Sequence, residues 1–254
     1  MICDAHVHIG YFSRKGEAEP RYYSPRRILG VLNRCGVDEF VVSSTCAQIE
    51  SIRIRDIVGE AREMKRLAGK RAHPFFWLSG HLYDEDQSLS WIGSGLFEGV
   101  KLHEAETPWM RERRAELDVI LRFAERHDLP VQMHCPWDGC FPADLAELAT
   151  AHPRVRFNLA HCSPMDEMAD VVARCSNVWT DVACLPFDRF EELGRYDWRG
   201  RLLFGTDLPT WQAKETAPLT KRYREILSAW RKASRTGEAR SADPFRSYLG
   251  KGHP

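Results

Sequence analysis

Two histidines near the start of the chain, His6 and His8, have the type and spacing of metal ligands. They lie in residues 2–8, where polar and apolar residues alternate. Because successive side chains of a β-strand point to opposite faces, both imidazoles would project from one face and could hold one cation. A short strand that happens to carry two histidines explains the same pattern, so the pair needs support from the rest of the chain.

That support comes from polar residues that follow later apolar segments: Lys101 with His103, His134, His161 and Asp207. Each of them alone could be a capping or hydrogen-bonded loop residue. Together they favour a metal site, because imidazole nitrogens and carboxylate oxygens suit zinc and similar divalent ions. Such an ion can bring the pKa of a bound water from near 16 to about 7. A further histidine could polarise a substrate carbonyl or move a proton.

The elements that must position these residues alternate along the chain. Eight short apolar segments are predicted strands: residues 2–8, 39–43, 74–79, 99–103, 130–134, 156–161, 178–182 and 202–205. Helical periodicity marks the segments between them, which predicts parallel pairing with both sheet faces covered. Eight such units in 254 residues predict an α/β fold, a (β/α)8 TIM barrel, as a single domain over residues 1–254.

In such a barrel the catalytic groups lie at the C-terminal ends of the strands, where the polar residues occur here. An open doubly wound sheet is the alternative fold, but the Gly-rich phosphate turn expected after its first strand is absent from the sequence. We expect the polar tail from about residue 234 to be loosely docked.

Composition narrows the class of protein. Lysine plus arginine equals aspartate plus glutamate, 36 each, so no net charge points to nucleic acid or an acidic membrane as partner. The sequence has no apolar run of about 18 residues. We expect no secretory leader, because the first residues lack a basic segment followed by an apolar stretch. Eight cysteines without a CxxC pair favour free thiols in a reducing cytoplasm. We expect a cytoplasmic protein with a small-molecule substrate. A homo-oligomer and a monomer are both compatible with the sequence.

Five stretches in order along the chain resemble the amidohydrolase superfamily: "DAHVHIG", "GVKLHE", "VQMHC", "LAHCS" and "LFGTDLP". They are most similar to its amidohydrolase-related branch of metal-dependent hydrolases and decarboxylases. The chain departs from the family pattern at Cys162, where many relatives have a small residue and then glycine, and at Glu104, where proline is commoner. These departures affect the assignment to a subfamily and leave the superfamily resemblance intact.

The resemblance implies a role for each matching residue. His6, His8, His134 and Asp207 would bind one divalent ion, with Zn²⁺ as the first expectation. His161 would be the catalytic histidine or, if a second ion is present, its ligand. Asp207 would also accept a proton during the reaction.

The function expected from these roles is hydrolysis of an ester, lactone or amide bond in a small organic molecule by a metal-activated water. A decarboxylase of a small unsaturated or aromatic acid is the alternative, since the branch contains both. A TatD-type metal-dependent DNase shares the HxH strand, but it usually carries a glutamate where this chain has Lys101. A barrel that binds metal without turnover is the remaining alternative.

Three further residues are candidates for substrate or second-metal contacts. Lys101 and His103 lie two apart on one predicted strand and so share a face. Binuclear relatives often carry a carboxylated lysine at this strand, but we favour a single ion and an unmodified Lys101. His81 follows the third predicted strand at the same end of the barrel.

Overall fold

The strands expected from the sequence are present close to their expected positions in the computed structural model, which describes residues 1–12, 20–49, 51–134, 141–210, 218–234 and 244–251. The strands are β1 Cys3–Phe12, β2 Arg21–Tyr23, β3 Glu39–Ser44, β4 Ala72–Trp77, β5 Gly99–His103, β6 Val131–His134, β7 Phe157–Ala160, β8 Val178–Asp181 and β9 Leu202–Leu203. Only β2 was not predicted, and it pairs antiparallel with β1 outside the parallel series.

The sheet runs in the order β2-β1-β3-β4-β5-β6-β7-β8-β9, and every pair after the first is parallel. The segment after β9 returns to β1, where the amide of Ala5 donates to the carbonyl of Phe204 at 2.8 Å. A parallel bridge joins Val7 to Leu208 in the same region. The predicted α/β barrel is therefore confirmed, with eight parallel strands closed on themselves.

Helices cover the outside of the barrel. They are α1 Pro25–Cys35, α2 Ile54–Ala68, α3 Glu85–Ile92, α4 Trp109–Glu112, α5 Arg114–Arg126, α6 Pro142–Ala151, α7 Met165–Arg174, α8 Leu219–Ser234 and α9 Pro244–Tyr248. The apolar faces of α1 to α8 pack on outward strand residues such as Val7, Phe40 and Val100 in one continuous core. Among the described helices, none combines the length and apolar character that a membrane span needs.

A smaller apolar cluster fills the opposite end of the barrel from the polar strand ends. Strand residues including Ala5, Val41 and Phe75 contact Phe245 and Tyr248 of α9. The loose docking expected of the tail does not hold for α9, because both aromatic side chains are buried under the barrel. The apolar residues among the polar ones in that tail were the signal for this contact.

One irregularity in β1 changes which residues face the site. The pairing register of β1 with β3 shifts between Asp4 and Val7, so strict alternation breaks there. Asp4 therefore does not share the face of His6 and His8; its carboxylate accepts from Thr206 Oγ1 at 2.7 Å and from the Tyr223 hydroxyl of α8 at 3.0 Å. Asp4 holds the last strand segment and α8 against β1.

Candidate metal centre

Three residues from the first and last strands converge at the C-terminal end of the barrel. His6 and His8 lie on β1, and Asp207 follows β9. The two Nε2 atoms are 3.1 Å apart, and Asp207 Oδ1 lies 2.9 Å from His8 Nε2 and 3.5 Å from His6 Nε2. All three side chains are buried. The arrangement matches the spacing of ligands around one cation.

Barrel closure sets this arrangement. The amide of Asp207 donates to the carbonyl of His6 at 2.7 Å, and the amide of His8 donates to the carbonyl of Leu208 at 2.6 Å. Gly205 is a further requirement, because a Cβ atom there would lie 3.1 Å from the Cβ atoms of both His6 and Asp181. A side chain here would press the last strand segment against His6 and Asp181, so glycine allows the close approach without displacing them.

Each imidazole of the pair is fixed through its other nitrogen. His6 Nδ1 is 3.1 Å from Asp181 Oδ2, and His8 Nδ1 is 2.9 Å from Ser43 Oγ. With the proton of His6 on Nδ1, its Nε2 lone pair points toward His8 and Asp207. Partners of this kind are what orient metal-binding histidines in proteins.

Protonation of the three residues fits cation binding. Burial lowers the pKa of His6 to about 4 and also lowers the pKa of His8. Burial alone would raise the pKa of Asp207, but its contacts with the two imidazoles hold that pKa well below its usual range. Near neutral pH the site thus presents neutral imidazoles and a carboxylate, which is the state that a metal requires. Their acceptor atoms face one another at close range, so the donor set fits a divalent cation.

Asp181, the last residue of β8, was missed by the sequence analysis. Its carboxylate is fully buried and accepts from Asn158 Nδ2 at 2.8 Å and from the backbone amides of His161 and Ala183 at 3.1 and 3.0 Å. Burial alone would raise its pKa, but His6 and these donors hold that pKa well below its usual range. A polar residue at the end of a predicted strand was the available signal.

His134 and His161 form a second pair beside the first. His134 Nδ1 lies 3.1 Å from His161 Nε2, and His161 Nδ1 lies 3.0 Å from the Ala183 carbonyl. The ring of His161 is 5.1 Å from that of His6. Within the described part of the chain, the close three-ligand groups contain His6, His8, His161 and Asp207 but not His134. The structure therefore places His134 next to the site, in contact with His161 but outside these groups of converging ligands.

Lys101 and His103 reach the same site from β5. Lys101 is buried, with Nζ 3.3 Å from His6 Nε2, and burial lowers its pKa to about 8. The ring of His103 stacks between Trp77 at 5.6 Å and His134 at 3.9 Å. Both residues line the centre as the shared strand face predicted.

His81 is placed differently. It is exposed, and its Nδ1 bonds Ser79 Oγ at 2.8 Å in the loop after β4. No ring contact or hydrogen bond among the described residues joins His81 to the metal-ligand candidates. The structure leaves it at the rim of the barrel end.

Cys184 was also missed, and nothing in its local sequence marks it. Its thiol donates to Asp207 Oδ2 at 2.9 Å, on the opposite oxygen from the one that faces His8. Cys184, His161 and Asp207 each have a left-handed backbone, with φ of 62°, 65° and 52°. Non-glycine residues in this region are uncommon and cluster at functional sites.

Comparison with known proteins agrees with this geometry. A family model described as amidohydrolase matches residues 3–233. No curated protein gives a significant match. The fold matches a Metarhizium anisopliae structure named IDCase at a TM-score of 0.70 and 13% identity, covering 98% of this chain and 97% of that one.

Two further structures are similar in fold. An amidohydrolase from Burkholderia multivorans with bound zinc has a TM-score of 0.65 and 14% identity, over 99% of this chain and 97% of that one. A protein from Acinetobacter baumannii assigned as a 2-pyrone-4,6-dicarboxylic acid hydrolase, with citric acid bound, has a TM-score of 0.59 and 14% identity, over 98% and 95%. At these identities the similarity is one of fold.

Proposed function

Since the chain belongs to the amidohydrolase family, we propose that it is a metal-dependent hydrolase that cleaves an ester, lactone or amide bond of a small organic molecule. The observation that carries this proposal is the convergence of His6 Nε2, His8 Nε2 and Asp207 Oδ1 within hydrogen-bonding range of one another. They lie buried at the barrel end where enzymes of this fold place their chemistry.

The proposed metal ligands are His6, His8, His134 and Asp207, and the proposed ion is zinc. Their nitrogen and oxygen atoms suit zinc, and a Burkholderia multivorans relative in fold holds that ion. His134 would turn from His161 toward the other three to complete the set. A zinc ion held there would supply Lewis acidity, lowering the pKa of a water and polarising a carbonyl oxygen.

The chain's own residues would then handle the protons. Asp207 is ionised and can accept a proton through the oxygen that does not face His8. His161 donates from Nδ1 to the Ala183 carbonyl, so its Nε2 can take up a proton and, once protonated, orient a substrate carbonyl or pass that proton to the leaving group. Lys101, unmodified, and His103 would contact the substrate, with His81 as a weaker candidate at the rim.

A decarboxylase is the second candidate, and Lys101 is the observation that favours it. An ammonium group buried in the site offers a partner for a substrate carboxylate. The proteins similar in fold include one named IDCase and one with citric acid bound. A hydrolase of a carboxylate-bearing substrate would use Lys101 in the same way, so the two reactions differ in the products formed.

The setting of this activity is also part of the proposal. The cysteines in the described ranges are free thiols, which supports a reducing, cytoplasmic location. We further propose one barrel domain over residues 1–254, since the family model alone covers residues 3–233. The balanced charge supports a small-molecule substrate over nucleic acid. Whether copies associate as a homo-oligomer is a matter for sedimentation analysis.

The test combines metal analysis with turnover. Purified protein is expected to hold near-stoichiometric zinc, and His6→Ala or His8→Ala is expected to lose it. A panel of lactones, amides and aromatic carboxylates is assayed for acid release and, separately, for CO₂ release. Acid release by the zinc form supports the hydrolase, and CO₂ release supports the decarboxylase instead.

A matched control is His127→Ala. His127 ends α5 and stacks on Phe123 at 4.1 Å, away from the barrel end, so its loss removes an imidazole without touching the site. Full metal content in His6→Ala and His8→Ala, equal to that of His127→Ala, would refute the proposed centre.

A further inference from the structure

The carboxylate of Asp207 serves two different groups of side chains. Its Oδ1 atom faces His8 and His6, and its Oδ2 atom accepts from the Cys184 thiol at 2.9 Å. Cys184, His161 and Asp207 form a separate group whose ligand atoms all lie within 4.8 Å of one another. This second group supplies one sulfur, one nitrogen and one oxygen.

From this geometry we propose a second cation position, formed by His161, Cys184 and Asp207, that selects thiophilic ions such as Zn²⁺, Cd²⁺ or Co²⁺. The proposal rests on the proposed function, since Asp207 is shared with the first metal centre. It adds a thiolate ligand from the turn after β8.

The chemistry of the donor set supports this assignment. Thiolate and imidazole are the ligands that zinc and cadmium prefer, whereas magnesium and calcium take oxygen ligands. On binding, the Cys184 S–H bond breaks, its proton passes to solvent, and a sulfur–metal bond forms with no change of oxidation state. The thiolate also adds one negative charge to a region that already contains the ammonium group of Lys101.

A buried nitrogen without a partner lies among the neighbouring histidines. His103 Nδ1 is enclosed and has no hydrogen-bond partner among the described residues. Its ring stacks on His134, which in turn bonds His161. A buried donor or acceptor of this kind costs about 1–3 kcal/mol when left unpaired. A ligand or its coordinated water between these histidines would satisfy it.

Occupation of this position has a functional consequence. It engages His161 and the Oδ2 atom of Asp207, which are the two groups proposed to move protons in the reaction. The singly loaded protein would therefore be the active form, and an excess of a thiophilic ion would occupy the second position and stop turnover.

Cobalt titration of the purified apoprotein tests the proposal without an activity assay. A thiolate bound to Co²⁺ gives an intense sulfur-to-cobalt charge-transfer band in the near ultraviolet, whereas nitrogen and oxygen ligands give only visible d–d bands. We expect d–d bands with the first equivalent and the charge-transfer band with the second. Cys184→Ser is expected to keep the first set and lose the second band, with total bound cobalt falling from two equivalents to one.

Cys35→Ser is the matched control, because Cys35 is also a half-buried free thiol but donates to the Thr220 carbonyl on the outside of the barrel. It should titrate as the unmutated protein does. Circular dichroism checks that Cys184→Ser is folded, and Cys184→Ala provides a second variant with the same expected spectrum.

The outcomes separate the two proposals. Visible d–d bands without a charge-transfer band in the unmutated protein overturn the Cys184 position and leave the first centre supported. A charge-transfer band that persists in Cys184→Ser also overturns it, since another thiol must then be the ligand. The absence of all cobalt bands, with no bound cobalt after dialysis, overturns both proposals.

Discussion

Replacing Asp181 by asparagine would test whether this buried carboxylate controls the metal-binding form of His6. Its Oδ1 atom accepts from the amides of His161 and Ala183, and its Oδ2 atom accepts from Asn158 and bonds His6 Nδ1. In Asp181→Asn the best orientation keeps Oδ1 as acceptor for the two amides. The new NH₂ group then faces the Asn158 amide and His6 Nδ1.

The N–H at His6 Nδ1 would then face the N–H of the new amide, and neither group can accept a hydrogen bond from the other. The imidazole can relieve this by moving its proton to Nε2, but Nε2 is the atom that faces His8 and Asp207. Metal binding must reverse that tautomer. Loss of such partners typically costs about 10- to 100-fold in metal affinity, or about 1.4–2.8 kcal/mol. We expect zinc affinity of Asp181→Asn to fall by that factor.

The apoprotein should also lose stability. One mismatched buried donor costs about 1–3 kcal/mol, which lowers Tm by about 2–12 °C in a domain of this size. Calorimetry of the metal-free protein measures this change, and competition with a chromophoric chelator measures zinc affinity.

Asn158→Ala is the control for the Asp181 variant. It removes one donor to the same carboxylate oxygen and leaves the bond to His6 in place. It should lower Tm with much less effect on zinc affinity. If Asp181→Asn binds zinc as tightly as the unmutated protein while its Tm falls, Asp181 is structural and does not orient His6.

Three further predictions follow from other parts of the molecule. His161→Asn should keep the first metal equivalent and lower kcat by about 100-fold, the usual scale for a positioned acid or base; full activity would remove His161 from the mechanism. At the opposite barrel end, burial would raise the pKa of Glu98, but hydrogen bonds from His73, Lys251 and Lys65 hold it well below its ordinary value of 4.5. This stabilisation is present above pH 4.5 and is lost as the pH falls through the lowered pKa. Glu98→Gln should therefore unfold at a lower urea concentration at pH 7. In a pH series of urea melts, its stability should also fall less steeply toward acid pH. Gly99→Ala would place its Cβ 2.5 Å from the Phe75 ring. It should therefore destabilise the fold by about 1–3 kcal/mol in the same melts. An unchanged midpoint would show that the ring can move aside.

The hydrophobic periodicity of the sequence was enough to predict most of the fold. Short apolar segments alternating with helical ones predicted eight parallel strands, and each is present with ends shifted by a few residues. The closure of the barrel could be inferred only from their number. The backbone bonds that achieve it, such as that from Asp207 to the His6 carbonyl, join residues far apart in sequence and have no local pattern.

The site was predictable where polar residues end predicted strands, and not elsewhere. His6, His8, Lys101 and His161 satisfied that rule and come together in the structure. Strict alternation would place Asp4 on the face of His6 and His8, but β1 shifts register between Asp4 and Val7. The alternation of polar and apolar residues along one strand cannot reveal a register shift that depends on the neighbouring strand.

Cys184 shows a different limit. It lies beyond the end of β8 in a turn whose left-handed backbone aims its thiol at Asp207. Its position depends on how the turns after two neighbouring strands approach each other. A cysteine in an apolar stretch is most often a small buried residue, so sequence alone gave no reason to treat it otherwise.

Closure of the barrel and assembly of the proposed metal centre are one structural event. His6 and His8 come from the first strand and Asp207 from the last, and the same backbone bonds that close the barrel bring them within reach of one another. In the unfolded chain these groups are separated by almost the whole barrel sequence, so an ion can bind all of them only in the closed form. The free energy of metal binding at the proposed centre would therefore add directly to the stability of the closed barrel. Burying neutral imidazoles beside a carboxylate is costly without a cation, and a bound cation would offset that cost in the closed barrel.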